Sequence, residues 1–110
     1  MTDRELLELA AKAAGMVLGE WHGSGYWADM RDSPYGEVAR HWNPLTDDGD
    51  ALRLAVKLNL SADFFEDEIA VGYTPNCNES EQLTEIVDND PYAATRRAIV
   101  RAAAEIERSM

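Results

Sequence analysis

The residues able to carry chemistry are few, and most lack the neighbours that chemistry needs. Asp47-Asp48-Gly49-Asp50 is a cluster of oxygen donors that invites a metal reading. A calcium loop of the EF-hand type needs ligands at alternating positions, a glycine at the sixth and a glutamate at the twelfth. This segment lacks that spacing, so it reads as the capped start of a helix and implies no metal. His22 and His41 are the only histidines. A general base needs a nucleophile or an orienting carboxylate in reach. Ser24 has no G-x-S-x-G context, and each histidine adjoins a tryptophan (Trp21-His22, His41-Trp42), which fits packing or surface better than catalysis. Cys77 lies in a polar stretch with no adjacent base to lower its pKa and no ligand cluster. The residues therefore point to no catalytic centre, no metal and no cofactor.

The acidic residues are the strongest lead. The chain of 110 residues carries a formal net charge of −11. Nine acids fall between positions 61 and 90: Asp63, Glu66, Asp67, Glu68, Glu79, Glu81, Glu85, Asp88 and Asp90, with no Lys or Arg among them. The last twenty residues are mildly basic, with Arg96, Arg97, Arg101 and Arg108 against Glu105 and Glu107. Such an asymmetry sets electrostatic partner preference without dictating fold. Phosphates require a basic stripe, so nucleic acid is disfavoured as a direct ligand and a basic protein surface is favoured. A solvated face explains the acids too. The sharper expectation is a partner-binding face of Asp63, Glu66, Asp67, Glu68, Glu79, Glu81 and Glu85, with charges spaced as duplex phosphates are.

Aromatic residues form a second group. Trp21, Tyr26, Trp27, Tyr35 and Trp42 crowd one part of the chain. They suit a core with a hairpin surface, or an interface anchored by Trp and Tyr. In a regular strand Tyr26 and Trp27 point to opposite faces, so one of the two must leave the core. Arg96 stands about 40° from the centre of the last helix's apolar stripe. It is read either as a solvated flank residue or as one that pairs with an acid from another element or reaches the edge of the stripe.

The elements that position these groups follow from local patterning. Thr2 and Glu5 form a capping box for a helix at about residues 3–14, and Gly15 suits its left-handed end. Met16–Met30 reads as a hairpin about Gly23-Ser24-Gly25, with a short third strand at Glu37–Trp42. Asp47 or Thr46 caps a second helix at about 47–58, whose apolar stripe is Leu52, Val56 and Leu60, widened by Ala55 and Leu58. Ile69, Val71 and Tyr73 alternate as a strand, and Leu83–Val87 supplies its partner. Asp90 and Pro91 open the final helix, with Tyr92, Ile99, Ala103, Ile106 and Met110 as its stripe and Arg97, Arg101 and Arg108 on the opposite face. This length suits a single domain. The fold class expected is α+β: one antiparallel sheet of four to five strands with three helices, in the order helix, strands, helix, hairpin, helix. No apolar run approaches the ~18 residues of a membrane span. The acidic, amphipathic first helix does not resemble a secretory signal, so a cytoplasmic place is expected.

Trp42–Leu58 (WNPLTDDGDALRLAVKL) and Asp90–Ile106 (DPYAATRRAIVRAAAEI) resemble small uncharacterised proteins of bacteriophages and prophages. The layout is similar to that of NinX-type proteins of phage early regions. The matching parts cover about a third of the chain. The resemblance implies phage origin and action in the host cell, and it supplies no activity and no catalytic residues. Small acidic phage proteins include inhibitors of host defence, some of which imitate DNA. Two expectations stand together. One is an accessory protein that binds a host protein with a basic surface. The other is an oligomeric scaffold, such as a homodimer, joined through Trp21, Tyr26, Trp27 and Tyr35, with the acids serving solubility.

Overall fold

The computed structural model describes residues 1–21, 23, 25–30, 38–74 and 80–109. Three helices and six strands follow one another among these residues. They are α1 (Asp3–Ala13), β1 (Val17–Trp21), β2 (Tyr26–Met30), β3 (Val38–Trp42), α2 (Asp48–Lys57), β4 (Ser61–Phe64), β5 (Glu68–Tyr73), β6 (Glu81–Ile86) and α3 (Pro91–Arg108). The α+β class and the three helices match the sequence reading, but the single sheet does not. The strands form two antiparallel sheets of three, ordered β1-β2-β3 and β4-β5-β6. The strand missing from the sequence reading is β4. Ser61, Ala62, Asp63 and Phe64 alternate polar and apolar, but over too few residues to stand out beside Phe64-Phe65 and the flanking acids.

Each helix begins and ends as its sequence dictates. Thr2 accepts a hydrogen bond from the Glu5 amide at 3.1 Å, Asp47 from the Asp50 amide at 2.8 Å, and Asp90 from the Tyr92 amide at 3.0 Å. Each of these side chains satisfies an amide that the helix leaves unpaired. α1 ends with Gly15 at φ 71°, the Gly15 amide on the Lys12 carbonyl and the Met16 amide on the Ala11 carbonyl. α2 ends in the same paired-hydrogen-bond motif, with Asn59 at φ 56° in the glycine's place.

The core lies around α3, which packs on α1, α2, β5 and β6. Its buried residues are Ala94, Ala98, Ile99, Val100, Ala102, Ala103 and Ala104. This face is wider than the stripe read from sequence, because α3 is covered on more than one side. Alanine allows that close approach, since it adds no side chain beyond Cβ. Leu7, Ile69, Val71 and Val100 are the largest fully enclosed apolar side chains beside Pro44. Each such burial contributes roughly 1.5–3 kcal/mol before entropy is counted. Two stripe expectations fail. On α2 the buried residues are Asp50, Ala51 and Leu54, while Leu52 and Val56 are 64% and 73% exposed. On α3, Tyr92 is 69% exposed.

Candidate partner-binding surface

The β4–β5 hairpin carries the first four candidate acids. Its turn closes with the Phe65 amide donating to the Glu68 carbonyl at 2.9 Å. Pairing of β5 with β6 extends to the turn, where the Val87 amide donates to the Asp67 carbonyl at 3.0 Å. Directly paired residues share a face of a sheet. The register Phe64↔Ile69↔Glu85 and Val71↔Leu83 therefore places Phe64, Ile69, Val71, Leu83 and Glu85 on the side that α3 covers. Asp63 and Glu68 alternate to the other side, with Thr84 and Ile86. Glu66 and Asp67 occupy the turn between β4 and β5.

The structure thus gathers part of the expected acidic face and separates the rest. Asp63, Glu66, Asp67 and Glu68 form one connected group at the end of the second sheet. Glu81 is exposed at the other end of β6, on the α3 side, opposite Tyr73. Glu85 is half-buried and pairs with Arg101, so its charge is already met within the chain. Glu79 lies outside the described residues. Asp63, Glu66, Asp67, Glu68 and Glu81 make no ion pair among the described residues.

The arginines explain that contrast. Arg97 reaches Asp3 at 3.0 Å, Arg108 reaches Glu105 at 2.9 Å, and Arg53 reaches Asp50 at 2.8 Å. Arg96 is mostly buried. Its Nη1 lies 2.6 Å from Asp48 and its Nε donates to the Leu45 carbonyl at 2.9 Å, so it pairs with an acid of another element. The Asp47–Asp50 cluster is occupied in the same way: Asp47 caps α2, Asp48 holds Arg96, and buried Asp50 accepts from the Asn43 amide at 3.0 Å. Among the described residues no group of three or more metal-ligating side chains converges.

Beside the hairpin runs an apolar groove of about 680 Å³ between α2, β4 and the first half of α3. Leu52 and Val56 form one wall, Phe64 the other, and Ile99 and Tyr92 lie along α3. Phe64 is 70% exposed, and Phe65 in the adjoining turn is also exposed. Sequence reading missed this site because it took Leu52, Val56 and Tyr92 for core. The signal available was the width of α2's apolar surface, which is too broad for one partner once Ala51 and Leu54 face inward.

The aromatic region is mostly structural. Tyr26 is 4% exposed and Trp42 is buried, so Tyr26 is corrected from a candidate contact to a core residue. Its hydroxyl donates to Glu8 at 2.6 Å and accepts from Arg4 Nε at 3.1 Å. Trp21 meets Tyr26 edge to face at 5.1 Å, and the Arg4 guanidinium lies 5.4 Å from the Trp21 ring centre. These contacts tie α1 to the first sheet, and burial, followed by the bond to Glu8, raises the Tyr26 pKa above its ordinary value. Trp27 takes the outward position of the adjacent pair and stands edge to face with His41. Tyr35, His22, Ser24 and Cys77 lie outside the described residues. Among the described residues no helix is long and apolar enough to cross a membrane. No family model, curated protein or solved structure matches this chain.

Proposed function

We propose that this chain is a non-enzymatic bacteriophage accessory protein that binds a basic surface on a host protein. In this reading it acts in the host cytoplasm as an inhibitor of a defence or nucleic-acid-processing complex. The observation that carries the proposal is the hairpin Asp63–Glu68, with four carboxylates that no arginine among the described residues neutralises. Elsewhere six of the described arginines sit on acids, whereas this hairpin keeps four unpaired carboxylates together at one end of the second sheet. A partner with Lys and Arg on its surface gains by meeting that charge, mainly in association rate and selectivity. A groove built for nucleic acid is such a surface, and carboxylates can stand in it where phosphates would. The chain itself lacks the basic stripe that direct nucleic-acid binding requires. The scaffold reading is weaker, because Tyr26 and Trp42 belong to the core and cannot anchor a second copy.

Affinity capture from a host lysate tests the proposal. The chain should retain a partner at low salt and lose it steeply as salt rises. Asp63→Lys/Glu66→Lys/Asp67→Lys/Glu68→Lys should abolish capture. Retention of the same partner by that quadruple variant would overturn the reading.

A further inference from the structure

The apolar groove is unexplained by charge alone. Its two exposed α2 residues, Leu52 and Val56, belong to the most regular apolar stripe of that helix, and nothing among the described residues covers them. Tyr92, the first member of the α3 stripe, opens into the same groove. Both misplaced stripes therefore fail at one place, which is where a binding face is expected to break the rules of folding. Exposed large apolar groups gathered this way mark an interaction site, whereas scattered ones do not.

We infer that the groove holds an amphipathic helix of the partner, with apolar side chains on one face and Lys or Arg beside them. The inference rests on the proposed function and names the kind of segment that function would engage. Three observations select this occupant. First, charge: Glu66 and Asp67 stand in the turn after Phe64, Asp88 and Asp90 precede Tyr92, and the bond from the Val87 amide to the Asp67 carbonyl brings these two acidic stretches together beside groove residues. A cationic segment complements it, while a second copy brings another −11 and is repelled. Second, edge geometry: β4 offers only four residues at the sheet edge, a poor template for adding a strand. The long walls are instead α2 and α3, which suit helix-in-groove recognition through residues spaced i, i+3, i+4 and i+7. Third, polarity: a small-molecule cleft needs convergent polar groups to orient its ligand. The two charged groups here, Asp48 and Arg96, already hold each other.

The test uses three labelled model peptides and fluorescence anisotropy on the whole chain. One peptide has Leu at helical spacing with Lys elsewhere; the second replaces each Leu with Ser; the third replaces each Lys with Glu. The Leu/Lys peptide should bind, and the other two should bind at least ten-fold more weakly. Leu52→Ser/Val56→Ser, on exposed positions, should weaken the Leu/Lys peptide at least ten-fold and leave its salt dependence in place. Backbone amide shifts on binding should map to Leu52, Val56, Phe64, Tyr92 and Ile99. Equal binding of the Leu/Lys and Ser/Lys peptides would overturn the inference and leave the acidic-face reading standing. Loss of salt dependence with intact Leu-dependent binding would overturn the charge complementarity and, with it, both readings. A dimer in sedimentation that Val56→Ser dissolves would overturn the inference by making a second copy the occupant.

Discussion

Five of the seven acids on the described helices meet arginines, and among the described residues the acids on the β4–β5 hairpin do not. Asp3 of α1 faces Arg97 across the α1–α3 contact, Asp48 of α2 faces Arg96, and Asp50 bonds Arg53 one turn on. Asp63, Glu66, Asp67 and Glu68 have solvent instead. The difference is geometric. Arginines on α3 lie opposite the starts of α1 and α2, and residues 61–90 supply no cation of their own. Paired carboxylates on the helices join elements; unpaired ones at the hairpin are left for other molecules.

The largest expected effect breaks the paired side. Asp50→Ala removes a buried carboxylate that holds the Asn43 amide and the Arg53 guanidinium. The loss should be about 2–3 kcal/mol, because a buried amide is left without its acceptor. Urea unfolding measures it, and a loss under ~0.5 kcal/mol, typical of surface sites, would erase the distinction. A smaller effect separates two tyrosines. Burial is the first cause that raises both; Tyr26 is then raised by Glu8 and lowered by the opposing Arg4, and Tyr73 is then raised by Glu105 and Glu81. A phenol held protonated in the fold and released in the unfolded chain gives stability that is complete below pH 10.0 and lost as pH rises beyond it. Glu81→Gln should let Tyr73 ionise at lower pH, read from the phenolate absorbance, and Glu8→Gln should do the same for Tyr26. The smallest effect concerns the unpaired side. Glu66→Lys/Asp67→Lys should leave the melting temperature unchanged or slightly raised, and should reduce any stabilisation by added salt. A clear drop in melting temperature would mean that the hairpin acids serve the fold.

Much of the frame was legible in sequence because local rules govern it. Thr2, Asp47 and Asp90 cap as their types require, and Gly15 takes the left-handed end. Ile69, Val71 and Tyr73 alternate and form a strand. The pairing of Arg96 with an acid of another element was one of the outcomes that its place near an apolar stripe left open, and Asp48 supplies that acid. What was not legible depended on tertiary arrangement. Periodicity shows that α2 has apolar residues around much of its surface, yet it cannot say which of Leu52 or Leu54 faces α3. Whether the strands before and after α2 join one sheet or form two is decided by tertiary pairing, which local patterns along the chain do not record. The acidic run was visible as composition, but alternation along the strands sends Asp63 and Glu85 to opposite sides. Proximity in sequence therefore overstated how much of the run forms one surface.

The central place of α3 has a consequence for how the chain folds. This helix follows every element it holds: α1, α2, β5 and β6 all rest on it. Asp3 and Arg97, which meet at 3.0 Å, lie 94 residues apart in sequence. Such non-local contacts slow folding, since long loops must close before packing rewards them. During synthesis the earlier helices and hairpins can form only transient local structure until Pro91–Arg108 has emerged. The apolar faces that α3 will cover stay open through that interval, and the folding step is delayed until almost all of this stretch has been made.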